Sequence, residues 1–368
     1  MSKLTITTLT PLHIGSGTDF QGNFEYLYFK EQGVAVVIDQ EKTLGVLGEE
    51  KITNWITCIE KREDLLALLK TRKANLRPED IALRRIPVVH KGLSGKNALR
   101  EQLHDGMGKP ILPGSSLKGA IRTAIFAQFI YKNTHLLNNR ANLQNRRGKF
   151  DDRELIKRCF GKDPNHDILR LLQVGDAFFE GTQCYSSNIV NQSGEKWITG
   201  SRTPGKDPMQ FLEAIPAGSC NTGYVDFRID DALFQMAEKK DVFTGDISIV
   251  QFHRLFPLLN DHIKDIVERE IKYWEDEGNP EAIGDYMEEL GKILEVIEAC
   301  DEKSCVIRLG WGTGYRTMTG AWDRKLPDDI YYDLVKSLRP KHPEELVYPK
   351  TTRMLEGGVP LGFIKLSI

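Results

Sequence analysis

Pro113-Gly114-Ser115-Ser116-Leu117-Lys118-Gly119-Ala120-Ile121-Arg122 reads as a turn that starts a helix. Pro and Gly punctuate the turn, and a Ser stands where a helix N-cap belongs. Leu117, Ala120, Ile121, Ala124 and Ile125 then recur at helical spacing, carrying the helix over about 116–131. Lys118 and Arg122 lie four residues apart on one face of the first turns. The partial positive charge of a helix N-terminus disfavours cations there. Two cations, two hydroxyls and free backbone N–H groups converging on one spot suit a bound anion. An ordinary capped helix with two solvated cations explains the same residues.

Upstream, residues 4–10 are rich in Thr and Leu/Ile and read as a strand, closed by Pro11-Leu12-His13-Ile14-Gly15-Ser16-Gly17. Tyr26–Phe29 and Val34–Ile38 read as a hairpin joined by Lys30-Glu31-Gln32-Gly33. Helical patterns follow at 51–59 and 63–69, and 84–90 reads as an edge strand because of Pro87. Downstream, residues 133–150 are rich in Asn, Arg and Lys with no apolar period, the pattern of a mobile basic loop. Strands are expected near 174–180, 184–189, 211–215 and 219–229. The arm 191–208 has little to bury and reads as flexible. Residues 305–309 run as a strand into Gly310-Trp311-Gly312-Thr313-Gly314-Tyr315-Arg316. A short helix at 330–338 and a strand at 362–367 finish the chain. Helices and hairpin-like strand pairs interleave irregularly, which predicts an α+β fold with antiparallel sheets. Two halves, 1–180 and 181–368, each open with a strand and carry one glycine loop.

A chain of 368 residues has room for two or three domains. Its composition, 40% hydrophobic and 28% charged, is that of a soluble protein, and no apolar run approaches the ~18 residues that would span a bilayer. The N-terminus reads as a strand and not a signal peptide, so a cytoplasmic location is expected. The six cysteines are scattered without a disulfide or zinc spacing. Net charge is −2, but residues 230–302 hold 20 Asp/Glu and 7 Lys/Arg, a net of −13, so the rest carries +11. A basic body with an acidic helical segment points to a polyanionic partner. Between 140 and 158 there are seven Lys/Arg against three Asp/Glu.

Several enzyme motifs fail. Ser115-Ser116-Leu117-Lys118 fits S-x-x-K, but the accompanying Ser-Asp-Asn and Lys-Thr-Gly are absent. Neither glycine loop is a Walker A or a G-x-G-x-x-G. No metal or cofactor is expected. Gly310, Gly312 and Gly314 allow positive φ and close backbone approach, so their N–H groups can cup a phosphate. Trp311 and Tyr315 can stack bases, and Arg308 and Arg316 can hold phosphates, or the two aromatics are core residues beside a tight turn. His13 is either a structural residue or an acid/base for RNA cleavage.

Three motifs together, Thr10-Pro11-Leu12-His13-Ile14-Gly15-Ser16-Gly17, Leu112 through Arg122, and Gly310-Trp311-Gly312-Thr313-Gly314-Tyr315, resemble those of the RAMP proteins, the repeat-associated subunits of CRISPR interference complexes. Pro349-Lys350-Thr351-Thr352-Arg353 and Pro360-Leu361-Gly362-Phe363-Ile364 look most like the type III-A (Csm) subunit at the 3′ end of the guide RNA. The resemblance implies two ferredoxin-like (RRM-like) modules, 1–180 and 181–368, with the acidic helices as an insertion in the second. It implies glycine loops that face RNA, a role in capping the guide and supporting its maturation, and packing against the repeated backbone subunit. A processing nuclease is a further candidate partner, and no membrane is expected. The implied RNA-binding residues are His13, Gly15, Gly17, Gly114, Ser115, Ser116, Lys118, Arg122, Arg146, Arg147, Lys149, Gly310, Gly312, Gly314, Tyr315 and Arg316, in a subunit that is not itself an enzyme. The alternative is a RAMP-type endoribonuclease acting on repeat RNA through His13.

Overall fold

The computed structural model describes the chain except for residues 1–3, 62, 146, 148, 194–195, 200–208, 241–242, 244, 278–280 and 339–350. It is an α+β structure in which most strand pairs are antiparallel. Thr5–Thr8, rich in β-branched residues, pairs with Phe363–Ser367, so the two ends of the chain meet. Phe363–Ser367 pairs in turn with Ser304–Arg308. Every residue of Ser304–Arg308 is buried, because the long helix Phe252–Asp276 lies over it. Asn260 of that helix accepts from the Val306 N–H and donates to the Ser304 carbonyl, both at 3.0 Å. That side chain satisfies a strand edge whose backbone groups would otherwise be buried unpaired.

The central helix is Gly114–Lys132. Its apolar stripe, Leu117, Ile121, Ala124, Ile125 and Ile130, enters the main core with Leu4, Ile6, Phe256 and Leu366. The N-cap is Pro113, in extended conformation, and not a serine; Ser115 and Ser116 stand in the first turn. A larger sheet is built around Gln183–Ser193, which pairs with Lys196–Thr199, Gln210–Ala214 and Thr351–Leu355. Gln210–Ala214 joins Ala98–Gln102 through a parallel pair, and Ala98–Gln102 joins Gly15–Gln21. The expected hairpin is present, and Ala82–Pro87 adds an edge strand to it. Three short helices, Gln40–Leu47, Ile52–Glu60 and Leu65–Arg72, cover one face of this small sheet with a core of their own.

The six-stranded sheet and the sheet of Thr5–Thr8, Phe363–Ser367 and Ser304–Arg308 each mix strands from either side of residue 180. Within residues 133–150, expected as a mobile loop, two 3-10 turns, Thr134–Asn138 and Arg140–Asn142, are formed, and Leu137, Leu143 and Asn142 are buried. The Asn142 side chain donates to the Leu136 carbonyl, the kind of local bond that replaces apolar period in holding a turn. Residues 219–229 form only the short strand Phe227–Ile229 plus isolated bridges. Most of the arm 191–208 lies outside the described residues. The acidic stretch is helical, as Asp231–Lys240, Phe252–Asp276 and Gly284–Glu298. It does not stand off the body: Leu255, Phe256, Leu259, Ile263, Ile266 and Val267 are all buried.

His262 of the long helix is buried, its Nδ1 has no hydrogen-bond partner among the described residues, and burial pushes its pKa down to about 4. The folded protein thus holds this imidazole neutral, whereas the unfolded chain protonates near 6.5. Stability from this site is fully present above about 6.5 and is lost as pH falls toward 4, by about 3 kcal/mol in all. Denaturation midpoints measured between about pH 7.5 and about pH 4.5 should fall, and His262→Leu should flatten that fall. An equal slope in the variant would exclude His262 as the cause.

Candidate nucleic-acid interface

The first and last glycine loops, almost three hundred residues apart in sequence, are brought into contact. The Trp311 N–H donates to the His13 carbonyl at 3.0 Å, and the rings of His13 and Trp311 meet edge-on at 5.8 Å. Gly310 has φ 94, and a Cβ there would lie 2.7 Å from the His13 carbonyl oxygen, so only glycine permits this approach. His13 is 2% exposed. Its Nδ1 bonds the Glu213 carbonyl at 2.6 Å, and burial lowers its pKa. It is a neutral packing residue between two loops. Its Nδ1 is taken by that backbone carbonyl, which leaves Nε2 as the ring nitrogen not bonded to Glu213. Gly15 and Gly17 start the neighbouring strand, where the Ser16 hydroxyl donates to Glu101.

Gly312 and Gly314 also have positive φ, and with Thr313 to Arg316 they line a small cavity of about 30 Å³. Arg308, expected to hold a phosphate, is instead buried under the loop. It donates to Glu270 at 3.2 Å and to the Leu361 carbonyl at 3.0 Å, and lies over the Phe363 ring. Arg316 is half-buried, donates to the Arg269 carbonyl and covers Tyr273, and burial lowers its pKa. Tyr315 is anchored by its hydroxyl to Asp323 at 3.0 Å. Trp311 already carries two guanidiniums, Arg353 at 4.5 Å and Arg100 at 5.0 Å from the ring. This occupied ring is a poor base-stacking platform. The two arginines make a positive spot: burial, then the charge of Arg100, pushes Arg353 down to about 10. Sequence reasoning passed over Arg100, which sits in an ordinary strand, and reached Arg353 only as part of a motif.

At the central helix, the anion expected from the sequence is in part the protein's own. The Gly114 N–H donates to Asp176 at 2.7 Å, Arg122 donates to Asp167 at 2.5 Å, and Lys118 donates to the Leu172 carbonyl at 2.8 Å. Arg122 also covers the Phe160 ring at 3.9 Å, and burial lowers the pKa of Lys118. Beyond these contacts a groove of about 580 Å³ opens beside the helix. Its lining includes Lys118, Arg122, Arg153, Lys157, Lys162 and Arg170, six cations against Asp163 and Asp167. Ser115 lines it, and Ser116 is partly buried nearby. Gly119 lies on its wall with nothing within 4 Å of where a Cβ would be. Glycine in a helix costs about 1 kcal/mol relative to alanine, and nothing among the described residues requires it at 119.

Arg147 is exposed and lines an adjoining cavity of about 600 Å³ that shares Arg153 and Lys157 with the groove. Lys149 is exposed close by in sequence but lines neither, and Arg146 lies outside the described residues. A cleft of about 410 Å³ is lined by both Arg122 and Tyr315. It links the groove to the glycine-loop cavity, which Tyr315 also lines. The cavities beside the late glycine loop, the central helix and the basic segment therefore have lining residues in common. Lys162 and Arg170 were missed in the sequence because they follow the basic run that singles out 140–158. No helix is long and apolar enough to cross a membrane, and no group of ligating side chains has metal geometry, among the described residues.

A family model described as the RAMP superfamily matches residues 5–317. The chain belongs to the RAMP superfamily. This RAMP protein is 26% identical over 345 residues to the "CRISPR system Cms protein Csm5" of Methanocaldococcus jannaschii, across 90% of this chain and 76% of the relative. Its fold matches a chain in a cryo-EM structure of a Csm–crRNA–target RNA ternary complex of a type III-A CRISPR-Cas system, with TM-score 0.74 and 19% identity over 100% of both chains. It also matches the crystal structure of T. onnurineus Csm5, with TM-score 0.67 and 18% identity over 98% of this chain and 99% of that one. At these identities the two structures speak to fold.

Proposed function

We propose that this RAMP protein is an RNA-binding subunit of a type III-A CRISPR effector complex, holding the guide RNA toward its 3′ end and packing against the repeated backbone subunit. The observation that carries RNA binding is the six-cation groove with Gly119 on its wall. Single-stranded RNA offers evenly spaced phosphates, and such a track meets them with cations and a helix face that a backbone can approach closely. Superfamily membership and the Csm5 likeness support the assignment to a complex. The two ferredoxin-like modules remain part of this reading, as does an outward, protein-facing role for the acidic helices, which would repel RNA. The contacts of this groove are with phosphates, so they fix position and are themselves nearly blind to sequence. The burial of His13 favours a binding subunit over a nuclease.

Lys157, Lys162 and Arg170 are exposed, so replacing all three by alanine should leave the fold intact. Affinity for single-stranded RNA should drop about 10- to 100-fold near physiological salt. The slope of log affinity against log salt should shrink by about 2, at roughly 0.7 for each phosphate no longer neutralised. Unchanged affinity and slope in a fluorescence anisotropy titration would take the groove out of the RNA interface.

A further inference from the structure

We propose that the cleft between Arg122 and Tyr315 is a pocket for one unpaired guanine base. This deepens the RNA-binding reading and rests on it. The cleft, about 410 Å³, is large enough for a base and is walled by Phe126, Phe150, Phe160 and Trp322, with Met318 70% exposed at its mouth. Phe150 and Trp322 lie nearly parallel at 6.1 Å, and Phe126 meets Trp322 edge-on at 5.5 Å. Unpaired bases bind against aromatic faces of this kind.

One polar group in the lining is unusual. Asp323 is 4% exposed; its Oδ2 accepts from the Tyr315 hydroxyl, while its Oδ1 is buried and accepts from none of the described residues. A carboxylate oxygen buried without a donor is costly, and on a residue that lines a cleft it calls for a ligand that donates. Burial raises the Asp323 pKa, while the Tyr315 hydroxyl and the charge of Arg324 hold it down. The segment carrying it turns through Gly320 and Ala321, both with positive φ. Ala321 is one of two non-glycine residues so placed among the described residues, a strained conformation that the packing sustains. An apolar protein side chain would cover the aromatic walls but leave Oδ1 unanswered. A base answers both. Guanine presents two N–H donors side by side, N1–H and the 2-amino group, which match the two carboxylate oxygens. Uracil offers one N–H between two carbonyls, and adenine and cytosine offer an amino group beside an acceptor nitrogen. Arg122, which also lines the cleft and is paired with Asp167, would be the cation that meets the flanking phosphate.

The test titrates the full chain with three fluorescein-labelled RNAs: heptauridylate, the same strand with guanosine at its centre, and the same strand with inosine there. Guanosine should bind about 10- to 100-fold tighter than uridine, the usual discrimination of a good two-point contact. Inosine, which lacks the 2-amino group, should lose most of that gain on the unmodified protein, so the result does not depend on a variant folding. Asp323→Asn keeps the shape and should level guanosine and uridine, while Lys157→Ala/Lys162→Ala/Arg170→Ala should weaken all three strands equally. Equal binding of all three strands to the unmodified protein would overturn the pocket and leave the RNA reading standing. A guanosine preference untouched by Asp323→Asn would overturn Asp323 as the reader. Failure to bind any strand would sink the RNA reading and the pocket with it.

Discussion

Replacing Glu270 with alanine should cost about 3–5 kcal/mol of stability, the largest single effect expected in this protein. Glu270 pairs with Arg308, and both are buried beneath the late glycine loop. The Tyr286 hydroxyl donates to Glu270 at 2.7 Å, and Arg308 donates to that hydroxyl at 3.3 Å, which closes a three-membered network. Removing Glu270 leaves a guanidinium with its remaining neutral acceptors, out of water and uncompensated. The penalty is the desolvation of that charge and not the worth of the pair. Glu270→Leu combined with Arg308→Met should therefore recover most of the loss, since apolar replacement of a buried pair is often neutral. Chemical denaturation of the single and double variants decides this. A single variant within about 1 kcal/mol of the parent would show that water reaches Arg308. The network also has a positional effect, because Arg308 ends the strand from which the loop Gly310–Gly314 departs. Loosening it should blur that loop as well as lower stability.

Gly114→Ala should be the second largest, at about 3 kcal/mol. A Cβ at 114 would sit 2.2 Å from the Val174 carbonyl oxygen and 2.7 Å from that of Gly175. Both are backbone atoms, so no side chain can swing aside and the helix start itself must retreat. Crowding of this kind costs about 1–3 kcal/mol, and the retreat also strains the charge-assisted bond from the Gly114 N–H to Asp176, worth about 1.5–3 kcal/mol when broken. Gly119→Ala, five residues on, should do the opposite. It meets open space on a helix, so stability should rise by about 1 kcal/mol. Denaturation midpoints that move in the same direction for both variants would refute the account of the two glycines.

Much of the architecture was legible locally. The stripe Leu117, Ile121, Ala124 and Ile125 predicted the central helix, and Gly33 in a short linker predicted the hairpin. The count of charges from 230 to 302 predicted an acidic helical segment. Where local reading failed, tertiary bonds had replaced local pattern. Residues 133–150 lack apolar period, yet Leu137 and Leu143 are buried and Arg140 reaches Asp329, 189 positions away. The sequence placed His13 beside glycines, and only the tertiary structure shows its burial against Trp311 and Glu213.

The sequence by itself determined the α+β class, the glycine loops and the superfamily resemblance, because caps, period and spacing act over a few residues. Only the tertiary structure decided which cations face solvent and which are spent inside. Arg122 meets Asp167 across 45 positions and Gly114 meets Asp176 across 62, while Arg308 turns inward to Glu270. Partner choice over such distances is set by how helices and strands pack, and packing leaves no mark on the residues beside each charge.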